Sequence, residues 1–288
     1  MLTTKIIKKT PMENFAGIGL RRDIAEEIIE RDILHPAFIE FAPENWIGMG
    51  GYYGKILRKA TEKYPATSHG LSLSLGSPEP LDMEFLKKIK SFLKEYNIQI
   101  YSEHLSYTKV SNAHLYDLLP IPFRADAVKH VAARIREVQD FLGMKIAIEN
   151  VSYYTPVAAE MEEWEFINAI VEESDCNLLL DVNNVHVNAF NHGYNADEFI
   201  SKLPLHRVAY IHMAGHEQVS DDLIIDTHGQ DIVESVYALF ERTIKKLHPV
   251  PVLLERDYNF GNLPNLQQEM ENIDSICTKT WEDKHVFA

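Results

Sequence analysis

Cysteine is nearly absent from this 288-residue chain: Cys176 and Cys277 are the only two. They form no C-x-x-C motif and no disulfide framework. That excludes a thiolate metal site and a disulfide-stapled fold, and makes a reducing cytoplasm the expected compartment. Cys176 precedes an apolar run and reads as a small packed residue. Positive charge is also short, since 28 Lys and Arg stand against 43 Asp and Glu for a formal net charge of −15. No Lys/Arg-rich segment offsets the excess, so no nucleic-acid partner is expected. No run approaches the roughly 20 apolar residues of a membrane span. The first residues, M-L-T-T-K-I-I-K-K-T, lack the apolar core of a signal peptide, and no membrane partner is expected. A Gly-rich phosphate turn is missing too, because G-I-G-L-R-R at Gly17–Arg22 is not G-x-G-x-x-G. This weighs against a doubly wound open sheet. Nor is there a linker or low-complexity tract. Residues 1–288 therefore read as one domain, with its core at about 15–278 and loose ends in the first ten residues and after Thr278.

What is present is an alternation of short apolar runs and amphipathic stretches. The runs are Phe15–Leu20, Phe38–Ala42, Thr67–Leu75, Ile98–Tyr107, Lys145–Val151, Asn177–Val187, Val208–Met213 and Pro251–Glu255. Helical patterns fall at Arg22–Arg31, Tyr53–Tyr64, Met83–Tyr96, Arg124–Leu142, Glu160–Glu173, Ala196–Leu203, Ile232–Leu247 and Leu263–Thr278. Asp82 and Asp231 are expected to cap the helices that follow them. Runs such as I-A-I and L-L-L suit parallel strands covered on both faces. Eight βα units in a chain of this length predict a closed (β/α)8 TIM barrel, with its site at the C-terminal ends of the strands.

Nearly every run stops in His, Asp, Glu or Asn. The clusters are S-H-G at Ser68–Gly70, Y-S-E-H at Tyr101–His104, I-E-N at Ile148–Asn150, L-D-V-N-N-V-H at Leu180–His186, I-H-M-A-G-H at Ile211–His216, D-T-H at Asp226–His228 and L-L-E-R-D at Leu253–Asp257. A buried imidazole or carboxylate is unfavourable unless paired or bound to metal. Six of the 13 histidines lie in these clusters: His69, His104, His186, His212, His216 and His228. With Glu149, Asp181, Asp226 and Glu255 they offer about ten ligands, enough for two or three ions at three to four protein ligands each. Imidazole and carboxylate without thiolate suit iron, manganese or zinc. Glu40 and Glu44 end the second run as outer hydrogen-bond acceptors or rim residues. Asn150 is placed to orient Glu149, and Arg256 to pair with Asp257. Gly50–Tyr53 reads as a turn.

The ligand order resembles that of xylose-isomerase-like TIM barrels, the abasic-site endonucleases among them. More closely, H-G-L-S-L-S-L-G, Y-S-E-H-L-S-Y, I-E-N-V-S-Y-Y, L-D-V-N-N-V-H-V-N, H-M-A-G-H and L-L-E-R-D resemble the multinuclear non-heme iron-dependent oxidases. That family includes the methanobactin biosynthesis oxidase. The resemblance covers about Gly17 to Asp257. It implies an enzyme that uses dioxygen to modify cysteine in a ribosomally made precursor peptide, with a small partner protein presenting the peptide. It also implies three metal positions. His69, His104 and Glu149 would hold the first, and Glu149, Asp181, His212 and Glu255 the second. Asp226 and His228 would hold the third, with a ligand from the L-D-V-N-N-V-H string, either Asn184 or His186. Asn150, His216, Asp257, Glu40 and Glu44 would stand behind the ligands or face the substrate.

Three other readings use the same residues. One is a zinc or manganese hydrolase of phosphodiesters or abasic sites, which the negative charge disfavours. Another is a sugar isomerase or epimerase, for which the ligands are too many. A barrel that binds metal and peptide without catalysis would be expected to have lost ligands.

Overall fold

The computed structural model describes residues 14–110, 113–155 and 157–285; the expected loose first ten residues lie outside these. The chain runs through β1 (Ala16–Gly19), a short α1 (Ala25–Ile29), β2 (Ile39–Phe41), α2 (Pro43–Trp46), α3 (Gly51–Lys63), β3 (Ala66–Gly70) and α4 (Met83–Glu95). It continues through β4 (Tyr101–His104), a hairpin of β5 (Ser106–Val110) and β6 (Ala113–Pro120), α5 (Ala125–Leu142), β7 (Ala147–Glu149) and α6 (Glu163–Ser174). Then come β8 (Asn177–Asp181), α7 (Val182–His192), α8 (Ala196–Lys202) and β9 (Val208–Met213). A second hairpin of β10 (Glu217–Ser220) and β11 (Leu223–Ile225), α9 (Glu234–Ile244), β12 (Val252–Leu254) and α10 (Leu263–His285) complete it. Strands β1, β2, β3, β4, β7, β8, β9 and β12 pair in that order, all parallel, and β12 closes on β1. This is the predicted TIM barrel.

Local sequence explains the elements. Helix α5 buries Val128, Val131, Ala132, Ile135, Val138 and Leu142, one stripe at three- and four-residue spacing. It stops at Gly143, whose φ of +79° suits glycine. Asp82 caps α4 as expected, accepting from the Phe85 N–H at 2.9 Å. In β8, Leu178, Leu179 and Leu180 are all buried, because helices cover one face and the barrel interior the other.

Alternation then sets the depth of the site. Ala147, Leu179 and Tyr210 form a small apolar cluster of their own, apart from the main core, with Ile100 and Ala209 against it. Two residues further along the same strands, on the same face, stand Glu149, Asp181 and His212. A packed apolar layer therefore underlies a polar one at the C-terminal strand ends.

The structure corrects several expectations. The run predicted as strand to Val187 turns helical at Val182, since Asp181 both ends β8 and caps α7 through the Asn184 N–H at 2.6 Å. Asp231 caps nothing; α9 begins at Glu234 after Val233 with no side-chain cap. Asp231 instead accepts from Arg256 at 2.9 Å and from Asn265 at 2.7 Å. Arg256 pairs with it and with Glu269 rather than with Asp257. Gly51–Tyr53 opens α3 instead of forming a turn, and Glu44 sits in α2 beyond the strand. Helix α10 continues past Thr278, and both hairpins were unforeseen.

A candidate metal centre at the barrel mouth

Strand register delivers the first group of side chains. His104 on β4 lies opposite Glu149 on β7, and His69 on β3 lies opposite Ser102 on β4. The Nε2 atoms of His69 and His104 are 3.1 Å apart, and each is 3.0–3.1 Å from Glu149 Oε2. Bonds of about 2.1 Å meeting at right angles would place neighbouring ligand atoms about 3.0 Å apart. The outer nitrogens are already engaged. His104 Nδ1 faces the Gly70 carbonyl at 3.0 Å, an acceptor only, so Nδ1 holds the proton and Nε2 presents its lone pair. His69 Nδ1 meets Ser102 Oγ at 2.6 Å, and Ser102 in turn meets the Tyr210 hydroxyl.

The second group centres on His212, opposite Asp181 in the β8–β9 register. Its Nδ1 lies 2.8 Å from Glu255 Oε2 and 3.2 Å from Glu149 Oε1, while Nε2 faces Glu40 Oε1 at 3.0 Å. Glu149 thus turns one oxygen to each group. Donor atoms of Glu149, Asp181, His212 and Glu255 lie within 4.8 Å of one another, and all four residues are buried. The third group is His228, Glu255 and Asp257. His228 Nδ1 stands 3.4 Å from Glu255 Oε2 and 3.6 Å from Asp257 Oδ2, and its Nε2 is 2.7 Å from Asp226 Oδ1. His228 holds φ at +49°, a strained backbone for a residue with a side chain, which marks a position fixed by its surroundings.

Whether ions fit here can be judged from the polar atoms. Glu149 Oε2, Asp181 Oδ2, Asn184 Oδ1, both His212 nitrogens, His228 Nε2 and Glu255 Oε2 are buried and make no hydrogen bond of acceptable geometry. They are close to one another, yet not aligned to share protons. Orphaned buried polar atoms are rare in proteins, and here they coincide with the candidate ligands. Charge points the same way. Among the described residues Glu40, Glu149, Asp181, Asp226, Glu255 and Asp257 surround one guanidinium, Arg21, which pairs with Asp257 at 2.5 Å and Glu255 at 3.5 Å. Without ions, imidazoles must carry the balance. Burial opposes the charged form of His212, but Glu255 and Glu40 outweigh it and hold its pKa well above the usual range. His228 is raised in the same way by Asp226 and Glu255. Burial works against Glu149 and Glu255 also, yet neighbouring histidines hold both carboxyls well below the usual range. Asp181, desolvated and facing Glu149, is pushed well above it. His104 falls to about 4, through burial and then the charge of His69. Bound cations would replace this arrangement of mismatched protons.

The remaining candidates sort by position. Glu40 is buried and accepts from Thr67 Oγ1 at 2.9 Å, placing it behind His212. Glu44 lies outside the groups and accepts from the Leu71 N–H at 2.9 Å. Asn150 does not orient Glu149. Its amide exchanges two hydrogen bonds with the Asp181 backbone, at 2.9 and 3.0 Å. Asn184 lies in the first turn of α7, its Nδ2 on the Asn150 carbonyl and its Oδ1 unpartnered. His186 is on the same helix, but it stacks on His216 with ring centroids 5.2 Å apart and meets Ser235 at 3.3 Å. It does not join the groups. His216 Nδ1 donates to Asn183 Oδ1 at 2.8 Å, and Asn183 Nδ2 donates to Asp226 Oδ1 at 2.8 Å. Asp226 also accepts from Ser152 Oγ at 3.0 Å. Sequence reasoning missed Arg21, Ser102, Ser152, Asn183 and Tyr210. Ser102 and Asn183 were visible inside quoted clusters, whereas nothing local marked Arg21 or Tyr210.

A cavity of about 430 Å³ opens above the groups, lined by Arg21, Asn45, His69, Leu71, His104 and Leu118 among others. Among the described residues no helix is long and apolar enough to cross a membrane.

The family model for "RiPP precursor modification enzyme MbnB/TglH/ChrH" matches residues 15–278. A UPF0276 protein of Alcanivorax borkumensis is 50% identical over 280 residues, covering 92% of this chain and 91% of that one. A UPF0276 protein of Shewanella loihica is 47% identical over 272 residues, covering 94% and 98%. In three dimensions a D-psicose 3-epimerase crystallised with D-fructose superposes with a TM-score of 0.62 at 13% identity, covering 92% of this chain and 99% of that one. At that identity the likeness shows the barrel fold alone.

Proposed function

The chain belongs to the MbnB/TglH/ChrH family of RiPP precursor modification enzymes, and we propose that it is a multinuclear iron oxidase that uses dioxygen to modify cysteine in a ribosomally made peptide. The observation that carries this reading is the set of buried, unpartnered imidazole and carboxylate atoms converging around Glu149. No thiolate is among them, which suits a redox-active iron site and disfavours structural zinc. His69, His104 and Glu149 would hold one ion. Glu149, Asp181, His212 and Glu255 would hold a second. His228 would hold a third with Asp226 or Asp257, and Asn184 would complete it. Iron bound there would supply redox chemistry with dioxygen and a position for the substrate thiolate.

The protein's own residues do the rest. Glu40 stands 3.0 Å behind His212 Nε2, and Ser102 with Tyr210 fixes the ring of His69. Arg21 holds Asp257 at the rim. The layer of Ala147, Leu179 and Tyr210 seals the site from below against water. A mouth of about 430 Å³ admits a side chain and its flanking backbone, so the peptide would enter as an extended segment. A small partner protein that presents the peptide is part of this proposal, as is a cytoplasmic setting. The two unpaired, buried cysteines support the latter.

The test is elemental analysis of anaerobically purified protein with Mössbauer spectra of iron-57 material. About two to three irons per chain with coupled ferrous and ferric signals are expected, three to four protein ligands serving each. Zinc or manganese alone after iron-replete expression would sink the oxidase and return the hydrolase and isomerase readings.

A further inference from the structure

A second cavity, of about 580 Å³, shares a wall with the metal centre. The wall is the strip Ser152–Tyr154. Ser152 Oγ donates to Asp226 Oδ2 at 3.0 Å, and the Tyr154 hydroxyl accepts from the Asp226 N–H at 2.8 Å. Tyr153, between them, lines the other side. The cavity is walled by Phe123, Tyr153, Trp164, Tyr194 and Phe199. The Phe123 and Tyr153 rings meet edge-on at 5.8 Å, and Tyr194 stacks on Phe199 at 5.2 Å.

Two polar groups in this aromatic box lack adequate partners. Glu163, at the first turn of α6, is 9% exposed, and among the described residues its side chain meets the Tyr153 hydroxyl, which donates to Oε2 at 3.3 Å. The buried Tyr194 hydroxyl has no hydrogen-bond partner among the described residues. Burial pushes the Glu163 carboxyl up to about 8, and a cation beside it would favour the charged form. Among the described residues Lys202 is the one lysine or arginine lining the cavity, and it is engaged with Glu198 at 3.0 Å and over the Trp164 ring at 5.1 Å. Glu162 and Glu198 add further negative charge. Ring faces attract cations, and a carboxylate grips a guanidinium with paired, charge-assisted hydrogen bonds.

We propose that this cavity binds a basic side chain, best matched by the guanidinium of arginine, set against Glu163 between the Tyr153, Trp164 and Tyr194 rings, and that the side chain belongs to the peptide substrate. The last clause rests on the peptide-modifying reading above. The cation site does not.

The probe is N-acetyl-L-arginine methylamide, with N-acetyl-L-citrulline methylamide as its neutral near-isostere, titrated into the full-length protein without turnover. Trp46 and Trp281 are buried at 3% and 1% exposure, so Trp164 dominates the change in tryptophan fluorescence. The arginine amide should bind at least about tenfold tighter than the citrulline amide. Glu163→Gln should erase that preference. Equal affinities, no saturation, or an unchanged preference in Glu163→Gln would overturn the site. Should that variant fail to fold, Trp164→Leu must weaken arginine binding by calorimetry, and unaltered binding would overturn it equally. Replacing a basic residue near the modified cysteine by Gln should raise KM and leave kcat. Efficient modification of peptides without any basic residue would remove the peptide clause while leaving the amide titration intact, so the two readings fail separately.

Discussion

Glu149→Gln is expected to remove about two metal ions per chain, not one, and to lower peptide modification by at least about 1000-fold, equivalent to about 4 kcal/mol in the barrier. The reason is geometric. Oε2 lies 3.0 and 3.1 Å from His69 and His104, and Oε1 lies 3.2 Å from His212, so one carboxylate serves two groups. Loss of an outer partner alone weakens metal binding about 10–100-fold, and a ligand shared by two ions counts for more. Asp226→Asn is the contrast. Asp226 meets His228 Nε2 at 2.7 Å, and its loss should remove one ion. Elemental analysis of both variants decides the matter. A normal metal count in Glu149→Gln would take it out of the bridge, and loss of every ion in Asp226→Asn would contradict the partition.

Arg256→Ala should lower stability by about 3–5 kcal/mol, because it strands a buried carboxylate. Arg256 Nη2 lies 2.7 Å from Glu269 Oε2, and the two side chains are 4% and 7% exposed. The other Glu269 oxygen accepts from the Ile232 N–H at 2.7 Å, so this pair ties α10 and the approach to α9 onto the end of β12. At roughly 2–4 °C per kcal/mol for a chain of this size, the melting temperature should drop by about 10 °C. Arg256→Met with Glu269→Gln should recover much of that loss, since no charge is then left buried alone. A single-variant loss under about 1 kcal/mol would mean that water reaches Glu269 or that its carboxyl takes up a proton.

The barrel was legible in the sequence because its strands are buried on both faces and read as unbroken apolar runs. Six candidate ligands were legible because His69, His104, Glu149, Asp181, His212 and Glu255 each stand where such a run stops, and the structure brings all six together. His186 misled for a physical reason. Only V-H-V at the end of V-N-N-V-H-V alternates as a strand does, and the Asp181 side chain bonded to the Asn184 N–H shows that the helix has already begun. Once helical, His186 turns toward His216. Asp231 and Arg256 chose partners 34 and 13 residues away, which no local pattern encodes. Arg21, on the loop after β1, meets Asp257 only when β1 closes against β12. The second hairpin was missed because all four residues of β10 are exposed and no apolar stripe betrays the strand.

The two cysteines acquire a practical meaning beside a site proposed to act on thiols. Both are 0% exposed, and burial pushes the Cys176 thiol up to about 11 and that of Cys277 further in the same direction. A thiol so shielded and so reluctant to ionise is a poor nucleophile and a poor target for oxidants. The enzyme would therefore be chemically silent toward alkylating reagents while folded. Mass-shift labelling of the native reaction mixture would count substrate thiols alone, and their disappearance could be followed without separating the peptide from the protein.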